Sequence, residues 1–250
     1  MREILLTAAA LWLVSQNGNA QGKGKPKGPA PTPKLTTKEF PDGTGLIGLA
    51  PGWVLDGAYR GTCGCKSANG SSIMMGRGQA ILRPDGPVGQ MPEAAMLKMP
   101  AAQVGDLGGA IRSILEGGGS RVKSLRSRPA PPISPGVPAF YYLYEYEKQG
   151  KRLTALGYFT TIAYYDSSSN WDLYSSYVTA PSERFVTDLP VMMAMWNSWR
   201  PNGSKPKAGS ESAMIDEVLK ENLKTHAATM KEQRESFERM QEKFKNALLQ

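Results

Sequence analysis

The sequence predicts an α+β fold, in which helices pack on an antiparallel sheet and a long C-terminal α-helix follows. Three observations support it. Residues 139–180 contain nine of the ten tyrosines in three aromatic and β-branched runs separated by two polar breaks, which favours an antiparallel meander. Residues 103–116 and 191–199 carry the apolar residues expected of helices packed on a sheet. Residues 211–249 contain neither glycine nor proline, as is typical of one continuous helix.

The composition indicates one main domain with a segment on either side. The 250 residues are 40% hydrophobic, which suffices for one sizeable core, and the net charge of +8 is moderate. We expect a signal peptide over residues 1–20, a basic linker over 21–38, a globular domain over 39–201 and a long helix over 210–249.

Residues 1–20 have the pattern of a secretory signal peptide. A charged start precedes an apolar run from Ile4 to Val14, and Gly18-Asn19-Ala20 supplies small residues at a cleavage site. The run is too short to span a membrane, which takes about 20 residues, and no later segment approaches that length. No cysteine follows the run for lipid attachment. We therefore expect an exported, soluble protein, either periplasmic or extracellular.

Residues 21–38 consist largely of glycine, proline and lysine, so a disordered or extended linker is expected. Its lysines could make weak electrostatic contacts with anionic polymers of the envelope. Alternatively, the segment is only a solubilising spacer. No specific nucleic-acid partner is expected, because no aromatic residues are interleaved to stack on bases.

Asn69-Gly70 is the strongest hairpin signal in the chain. A two-residue turn at these positions pairs Cys65 with Met74 and places Cys63, Cys65 and Met74 on one face of the hairpin. Three sulfur atoms would then lie close together.

Three interpretations of Cys63-Gly64-Cys65 stay open. Export favours a disulfide between Cys63 and Cys65, although residues two apart in a strand are at the upper limit of disulfide geometry, so the bond would be strained and easily reduced. The second interpretation is a soft metal site for Cu(I), with Met74 as third ligand and Met75 as a further candidate after a local bulge. The third is a core filled by small thiols and a methionine.

Catalytic constellations are largely excluded. The only histidine, His226, lies in the C-terminal segment, so the domain lacks the base of a serine or cysteine triad and cannot hold a multi-histidine metal site. Glu145 and Glu147 share a strand face and could approach an aspartate, as a glycosidase requires, but acidic residues beside a hairpin are usually at the surface. No catalytic residue and no cofactor is therefore predicted. The tyrosines could form a platform for sugar or peptide, or serve mainly as core.

The C-terminal segment is predicted to be an interaction helix. A helix over residues 211–249 would measure about 58 Å, which is longer than the domain is wide. It either mediates self-association or partner contact, or folds back across the sheet. The candidate contact residues form a narrow apolar stripe: Leu219, Leu223, Met230, Phe237, Met240 and Phe244.

The expected order of elements is a strand, a helix, a meander and a last helix. Pro51-Gly52-Trp53 lies near the start of this order, and the stretch APSERFVTDLPVMMAMWNSW closes it. In this order the chain resembles the small secreted bacterial domains of the Mog1/PsbP-like superfamily, over about residues 46–199. The resemblance implies a non-catalytic binding or assembly-factor fold and transfers no functional residue. The cysteine hairpin and the C-terminal segment are not part of the pattern.

Two functions from different classes follow from these observations. The first is a secreted or periplasmic, non-enzymatic binding or scaffold protein, whose α+β domain docks a protein partner while the C-terminal helix mediates self-association or partner contact. The alternative is a small envelope protein that handles Cu(I) or exchanges thiols through Cys63, Cys65 and Met74, with copper as its cofactor.

Overall fold

The computed structural model describes residues 33–132, 136–161 and 169–202. In this part of the chain, no helix is both long enough and apolar enough to cross a bilayer. The elements, in chain order, are β1 (Thr36–Glu39), β2 (Gly45–Leu49), β3 (Trp53–Tyr59), β4 (Thr62–Ser67), β5 (Ser72–Leu82), a 3₁₀ helix (Pro92–Leu97), α1 (Leu107–Gly117), β6 (Ser120–Pro129), β7 (Ala139–Lys148), β8 (Lys151–Thr161), β9 (Asn170–Pro181), α2 (Phe185–Ser198) and β10 (Arg200–Pro201).

Two predicted segments lie outside the described residues. These are the signal peptide over 1–20 and the helix over 210–249. The predicted contact residues of that helix lie outside with it: Leu219, Leu223, Met230, Phe237, Met240 and Phe244.

The predicted α+β fold with a long C-terminal helix is wrong. The described residues form mainly strands, in a seven-stranded antiparallel sheet of order β3-β4-β5-β9-β8-β7-β6 and a three-stranded antiparallel sheet of order β1-β2-β10, with only two α-helices among them. β6 is a basic edge strand of ten residues, and β5 runs for eleven residues through two glycines. Apolar patterning underestimates such strands, because charged residues and glycines interrupt the alternation that predicts a strand.

The tyrosine-rich meander is present, and it forms one half of the larger sheet. β7 pairs with β8 from Ala139 opposite Thr160 to Lys148 opposite Lys151, and β8 pairs with β9 along its whole apolar length. β8 therefore has a strand on each side, as its apolar residues on both faces predict.

The seven-stranded sheet separates two hydrophobic cores. On one face, α1 buries Leu107 and Ile111 in a cluster with Trp171 and the tyrosines of β7. On the other face, the core contains both cysteines, the methionines of α2 and the apolar side chains of β2. Both faces of the sheet are thus covered, which gives the molecule two separate places where side chains converge.

The two helices start and continue for different reasons. α1 begins after Asp106, whose carboxylate accepts a hydrogen bond from the Gly109 N–H at 2.8 Å and so caps the first turn. α2 runs without a break through Pro190, so it begins before the span 191–199 that the sequence predicts. Pro190 and Val186 are exposed, so the Val186 carbonyl, which has lost its intrahelical donor, lies on the side of the helix that faces water.

The two ends of the domain meet on β2. β1 begins at Thr36, inside the stretch predicted as linker, and pairs with one side of β2, while β10 pairs with the other. All four side chains of β1 are exposed, which explains why no apolar pattern marked it.

Candidate functional site

The hairpin between β4 and β5 has a three-residue loop over residues 68–70. The Ser67 N–H donates to the Ser71 carbonyl at 2.9 Å, and Gly70 takes a φ of +91°. Three-residue loops place a glycine at the left-handed position, so Asn69-Gly70 suits such a loop as well as a two-residue turn. The register therefore differs by one residue from the predicted one.

This register places Met75, rather than Met74, beside the cysteines. Cys63 lies opposite Met75, whereas Met74 lies opposite Gly64. The predicted pairing of Cys65 with Met74 is wrong, because directly opposed residues share a face and Met74 belongs to the other one. Cys63, Cys65 and Met75 lie in the same core cluster with exposed fractions of 1%, 2% and 0%.

Both cysteines are free thiols. A hydrogen bond to Cys65 raises the pKa of the Cys63 thiol well above its ordinary value, and burial raises it further. The same hydrogen bond lowers the pKa of Cys65, against the opposing effect of burial. The pair therefore releases a first proton more readily than a second, because the remaining S–H stabilises the first thiolate.

A β-bulge at Met75 and Gly76 decides which face each side chain of β5 takes. The pairing of β5 with β9 shifts by one residue between Met74 and Arg77, so Met75 and Gly76 together oppose a single residue. Because of this shift, Arg77 lies on the same face as Met74 although the two are three residues apart. Arg77 is thereby placed on the side of α1, and Met75 on the side of α2.

Gly76 is held in the bulge from several directions. Its φ is +71°, and a Cβ at this position would lie 2.9 Å from the Trp199 ring. Its N–H donates to the Ser176 hydroxyl at 2.9 Å, and its carbonyl accepts from the Thr62 hydroxyl at 2.9 Å. No larger residue fits this position without a shift of the backbone or of Trp199.

A groove lies between α1 and the face of the sheet that carries Arg77. Its inner part is a recess of about 70 Å³, with Ile114 and its neighbours on α1 forming one wall and Arg77, Gln79 and Ser175 supplying polar groups. The opposite wall consists of aromatic rings from three strands: Tyr144, Tyr146, Phe159 and Tyr177. Arg77 and Gln79 were not predicted as site residues, because the bulge reverses the alternation of β5 at the point where they begin.

An outer cleft of about 530 Å³ adjoins the recess and shares Gln79 and Ile114 with it. The segment from Lys98 to Pro100 forms one side of the cleft, and the last turn of α1 forms the other. The two cavities therefore make one continuous groove, narrow and aromatic inside and wide outside.

The cations of the groove, Arg77 and Lys98, have no carboxylate partner in the part of the chain that the structure describes. The carboxylate that lines the outer cleft, Glu116, lies 3.8 Å from Arg112 on the same helix. A half-buried guanidinium in this position can form a charge-assisted hydrogen bond with a bound anion.

Two phenols of the recess, those of Tyr144 and Tyr146, keep their protons at physiological pH. Burial raises the pKa of Tyr144 well above its ordinary value, with Tyr177 and Tyr146 adding to the effect. Burial also raises the pKa of Tyr146, although its hydrogen bond with Thr179 opposes this. The recess thus offers neutral aromatic surface next to one positive charge.

The acidic residues of β7 do not form a hydrolytic pair. Glu145 lies 3.0 Å from the Arg152 guanidinium, and Glu147 lies 3.0 Å from the Lys123 ammonium. Both carboxylates are partly exposed and engaged in cross-strand ion pairs, which is the usual role of such residues on a sheet surface.

Comparisons with known proteins concern the fold alone. No protein-family model matches the chain, and no curated protein matches it. Among solved structures, cyanobacterial PsbP (CyanoP) from Synechocystis is similar at a TM-score of 0.34 and 11% identity, over 72% of this chain and 98% of that one. LpqN, involved in cell envelope biogenesis of Mycobacterium tuberculosis, has a TM-score of 0.30 and 14% identity, over 65% of this chain and 87% of that one.

The Ran-binding protein Mog1p of Saccharomyces cerevisiae gives a TM-score of 0.31 and 10% identity, over 68% of this chain and 97% of that one. These solved structures include a PsbP and Mog1p, the kinds of protein that the sequence resembles. At TM-scores of 0.30–0.34 and identities of 10–14%, the function has to be inferred from this chain's own side chains.

Proposed function

We propose that the protein binds an extended segment of a partner protein in the groove between α1 and the sheet. In this proposal the segment places one apolar side chain in the recess and a carboxylate against Arg77. The observation that supports it is the Arg77 guanidinium, which lies at an aromatic recess and has no carboxylate partner among the described residues.

The dimensions of the groove favour a polypeptide over a small molecule. Pockets that enclose small ligands measure about 300–1,000 Å³. The recess, at about 70 Å³, is far smaller, and the outer cleft reaches this range in volume but does not enclose a ligand because it is open. The volume of the recess admits the end of a single side chain. The outer cleft of about 530 Å³ is open, so a chain can enter, lie along it and leave.

The rim of the groove has the character of a protein-binding surface. The segment that leads into Lys98 exposes three apolar side chains, including Met96, which is 79% exposed. Methionine adapts to partners of different shape because its side chain is unbranched and polarizable. Exposed apolar residues next to a groove are typical of interaction surfaces. The three residues are Met91, Met96 and Leu97.

The charges of the groove select the partner. Lys98 lines the outer cleft and Arg77 the recess, so the groove carries two cations along its length. A segment with acidic residues beside an apolar or aromatic residue complements this arrangement, whereas a basic segment would be repelled.

A random peptide library displayed on phage, selected against the full-length protein, tests this proposal. We expect the enriched peptides to share a carboxylate within a few residues of a large apolar side chain. A synthetic peptide of the enriched sequence should bind at least about tenfold more weakly to Arg77→Gln, because a hydrogen bond to a charged group contributes about 1.5–3 kcal/mol.

Lys38→Gln is the matched control, because it removes one positive charge from β1, in the three-stranded sheet. The control should bind the peptide with unchanged affinity. Selection of peptides without any acidic residue, or equal binding to Arg77→Gln and to the wild type, would contradict the proposal.

We further propose that the protein acts outside the cytoplasm. This is supported by the apolar run from Ile4 to Val14 and the small residues that end at Ala20. Expression in a bacterial host, followed by fractionation and intact-mass measurement, should give an exported product that begins at Gln21. A product that keeps Met1 and stays in the cytoplasm would exclude export.

A further inference from the structure

We propose that Cys63, Cys65 and Met75 form a buried binding site for one Cu(I) ion. The site lies on the face of the seven-stranded sheet opposite the groove, so it is separate from the proposed peptide-binding function.

The backbone register brings the three sulfur atoms together. Cys63 and Met75 are directly opposed on neighbouring antiparallel strands, where Cβ atoms are about 4.5–5.5 Å apart. Cys65 follows Cys63 by two residues and shares its face, and the two thiols are hydrogen-bonded to each other. One ion placed among the three side chains can therefore contact all three sulfurs through changes of side-chain rotamer.

The donor set is suited to Cu(I). Thiolate and thioether sulfurs are soft ligands, and they select Cu(I) over harder cations such as Mg²⁺ or Mn²⁺. Cys63 and Cys65 supply two thiolates, and Met75, which lies opposite Cys63, completes the set with a thioether. On binding, the cysteine sulfurs coordinate copper as their protons pass to solvent.

The surroundings would keep bound copper away from water and oxidants. The three ligands are almost completely buried, and α2 contributes Met192, Met193 and Met195 to the same core. β4 is the second strand of the sheet, with β3 outside it. Because the ligands are buried, copper reaches the site only when the surrounding structure opens locally, and we expect slow loading and slow release.

A competition titration with the Cu(I) chelator bicinchoninate, on the reduced full-length protein, tests the site. We expect one equivalent of Cu(I) to be withdrawn from the chelator. Loss of a residue that only hydrogen-bonds a metal ligand already weakens metal affinity by about 10–100-fold. Cys63 and Cys65 are direct ligands, so Cys63→Ala and Cys65→Ala should each weaken Cu(I) binding by at least about 100-fold. X-ray absorption of the wild-type complex should show sulfur as the only kind of neighbour, which tests the site without any variant.

Met75→Leu and Met74→Leu form the matched pair for the third ligand. Both replace a methionine of β5 by a residue of similar size, but only Met75 shares the face of the cysteines. We expect Met75→Leu to weaken Cu(I) binding by at least about tenfold, and Met74→Leu to leave it unchanged.

Three results would overturn the proposal. They are no withdrawal of copper from the chelator, nitrogen or oxygen neighbours in the absorption spectrum, and equal affinities of Met75→Leu and the wild type. Near-ultraviolet circular dichroism of each variant shows that a lost affinity is not a lost fold. None of these results bears on the groove, whose peptide assay uses different residues.

Discussion

The Ser71 hydroxyl donates a hydrogen bond to the Asp188 carboxylate at 2.8 Å and so joins the cysteine hairpin to helix α2. The Asn69 side-chain amide donates to the same carboxylate at 3.0 Å, and the Arg184 guanidinium contacts it at 3.2 Å from one turn earlier in the chain. Asp188 is largely buried and lies in the first turn of the helix, where the dipole favours a negative charge. One carboxylate thus positions the loop between the strands that carry Cys63 and Met75.

Replacing Asp188 by alanine should lower the free energy of unfolding by about 2–4 kcal/mol, because the buried Ser71 hydroxyl and its neighbours lose their acceptor. Urea denaturation followed by tryptophan fluorescence measures the change. Asp172→Ala is the control: Asp172 is exposed on β9, so its loss should change stability by less than about 0.5 kcal/mol. Equal effects of the two variants would show that the Asp188 contacts contribute nothing specific.

Gly76 and Gly78 provide a direct test of the bulge. Gly76→Ala should destabilise the protein by about 1–3 kcal/mol, because alanine is strained at positive φ and its Cβ would meet Trp199. Gly78 has open space where a Cβ would lie and no left-handed φ, so Gly78→Ala should be neutral or slightly stabilising. Thermal unfolding of both variants makes the comparison, and a stability of Gly76→Ala equal to that of Gly78→Ala would contradict the geometry of the bulge.

The bulge also explains where prediction from sequence succeeds and where it fails. The meander is predictable because aromatic and β-branched residues recur over three strands, and the break at 148–150 marks its first turn. The faces of β5 are not predictable, because alternation reverses at Gly76, and two nearby glycines mark a bulge without fixing its position. Arg77 therefore escaped detection as a groove residue.

The cysteine hairpin illustrates a second limit. Asn69-Gly70 correctly predicts a hairpin, but the same two residues fit loops of two or three residues. One extra loop residue moves every opposed pair by one position, and this exchanges Met74 for Met75 beside Cys63. The Asp188 contacts that hold the loop come from a helix more than 100 residues later, so no local pattern reports them.

Stability should fall at alkaline pH because folding raises the pKa of several tyrosines. Burial raises the pKa of Tyr141 from 10.0 to about 12, and the Tyr158 phenol adds to this. Burial also raises the pKa of Tyr144 and Tyr146. The sign follows from proton binding: above the unfolded value of about 10, the unfolded chain releases protons that the folded chain retains, so the free energy of unfolding decreases as pH rises.

Denaturant unfolding at a series of pH values from about 9 to 12 measures this decrease. Below the unfolded value both states hold the phenol protons, so the tyrosines contribute full stability there. In Tyr141→Phe the slope of stability against pH should be smaller above about pH 10 than in the wild type, because one of the shifted groups is gone. If the denaturation midpoint of the wild type stays constant over this whole pH range, these phenols are not buried.

We expect the Trp171 side chain to hold the outer wall of the groove in place. Its indole N–H donates to the Ala102 carbonyl at 3.0 Å, and the Leu82 N–H donates to the Pro100 carbonyl at 2.8 Å beside it. Trp171→Phe leaves the Ala102 carbonyl without this donor and removes buried volume, so it should cost about 2–4 kcal/mol of the free energy of unfolding.

The more specific consequence is local, because the segment from Lys98 to Ala102 loses its anchor to β9. Hydrogen exchange of the Leu82 and Ala102 amides should accelerate by more than the change in global stability accounts for. Trp53→Phe is the control, since the Trp53 indole makes no hydrogen bond among the described residues and belongs to the other core. Exchange that accelerates equally in both variants would mean that Trp171 acts through bulk packing alone and that the groove wall is held by other contacts.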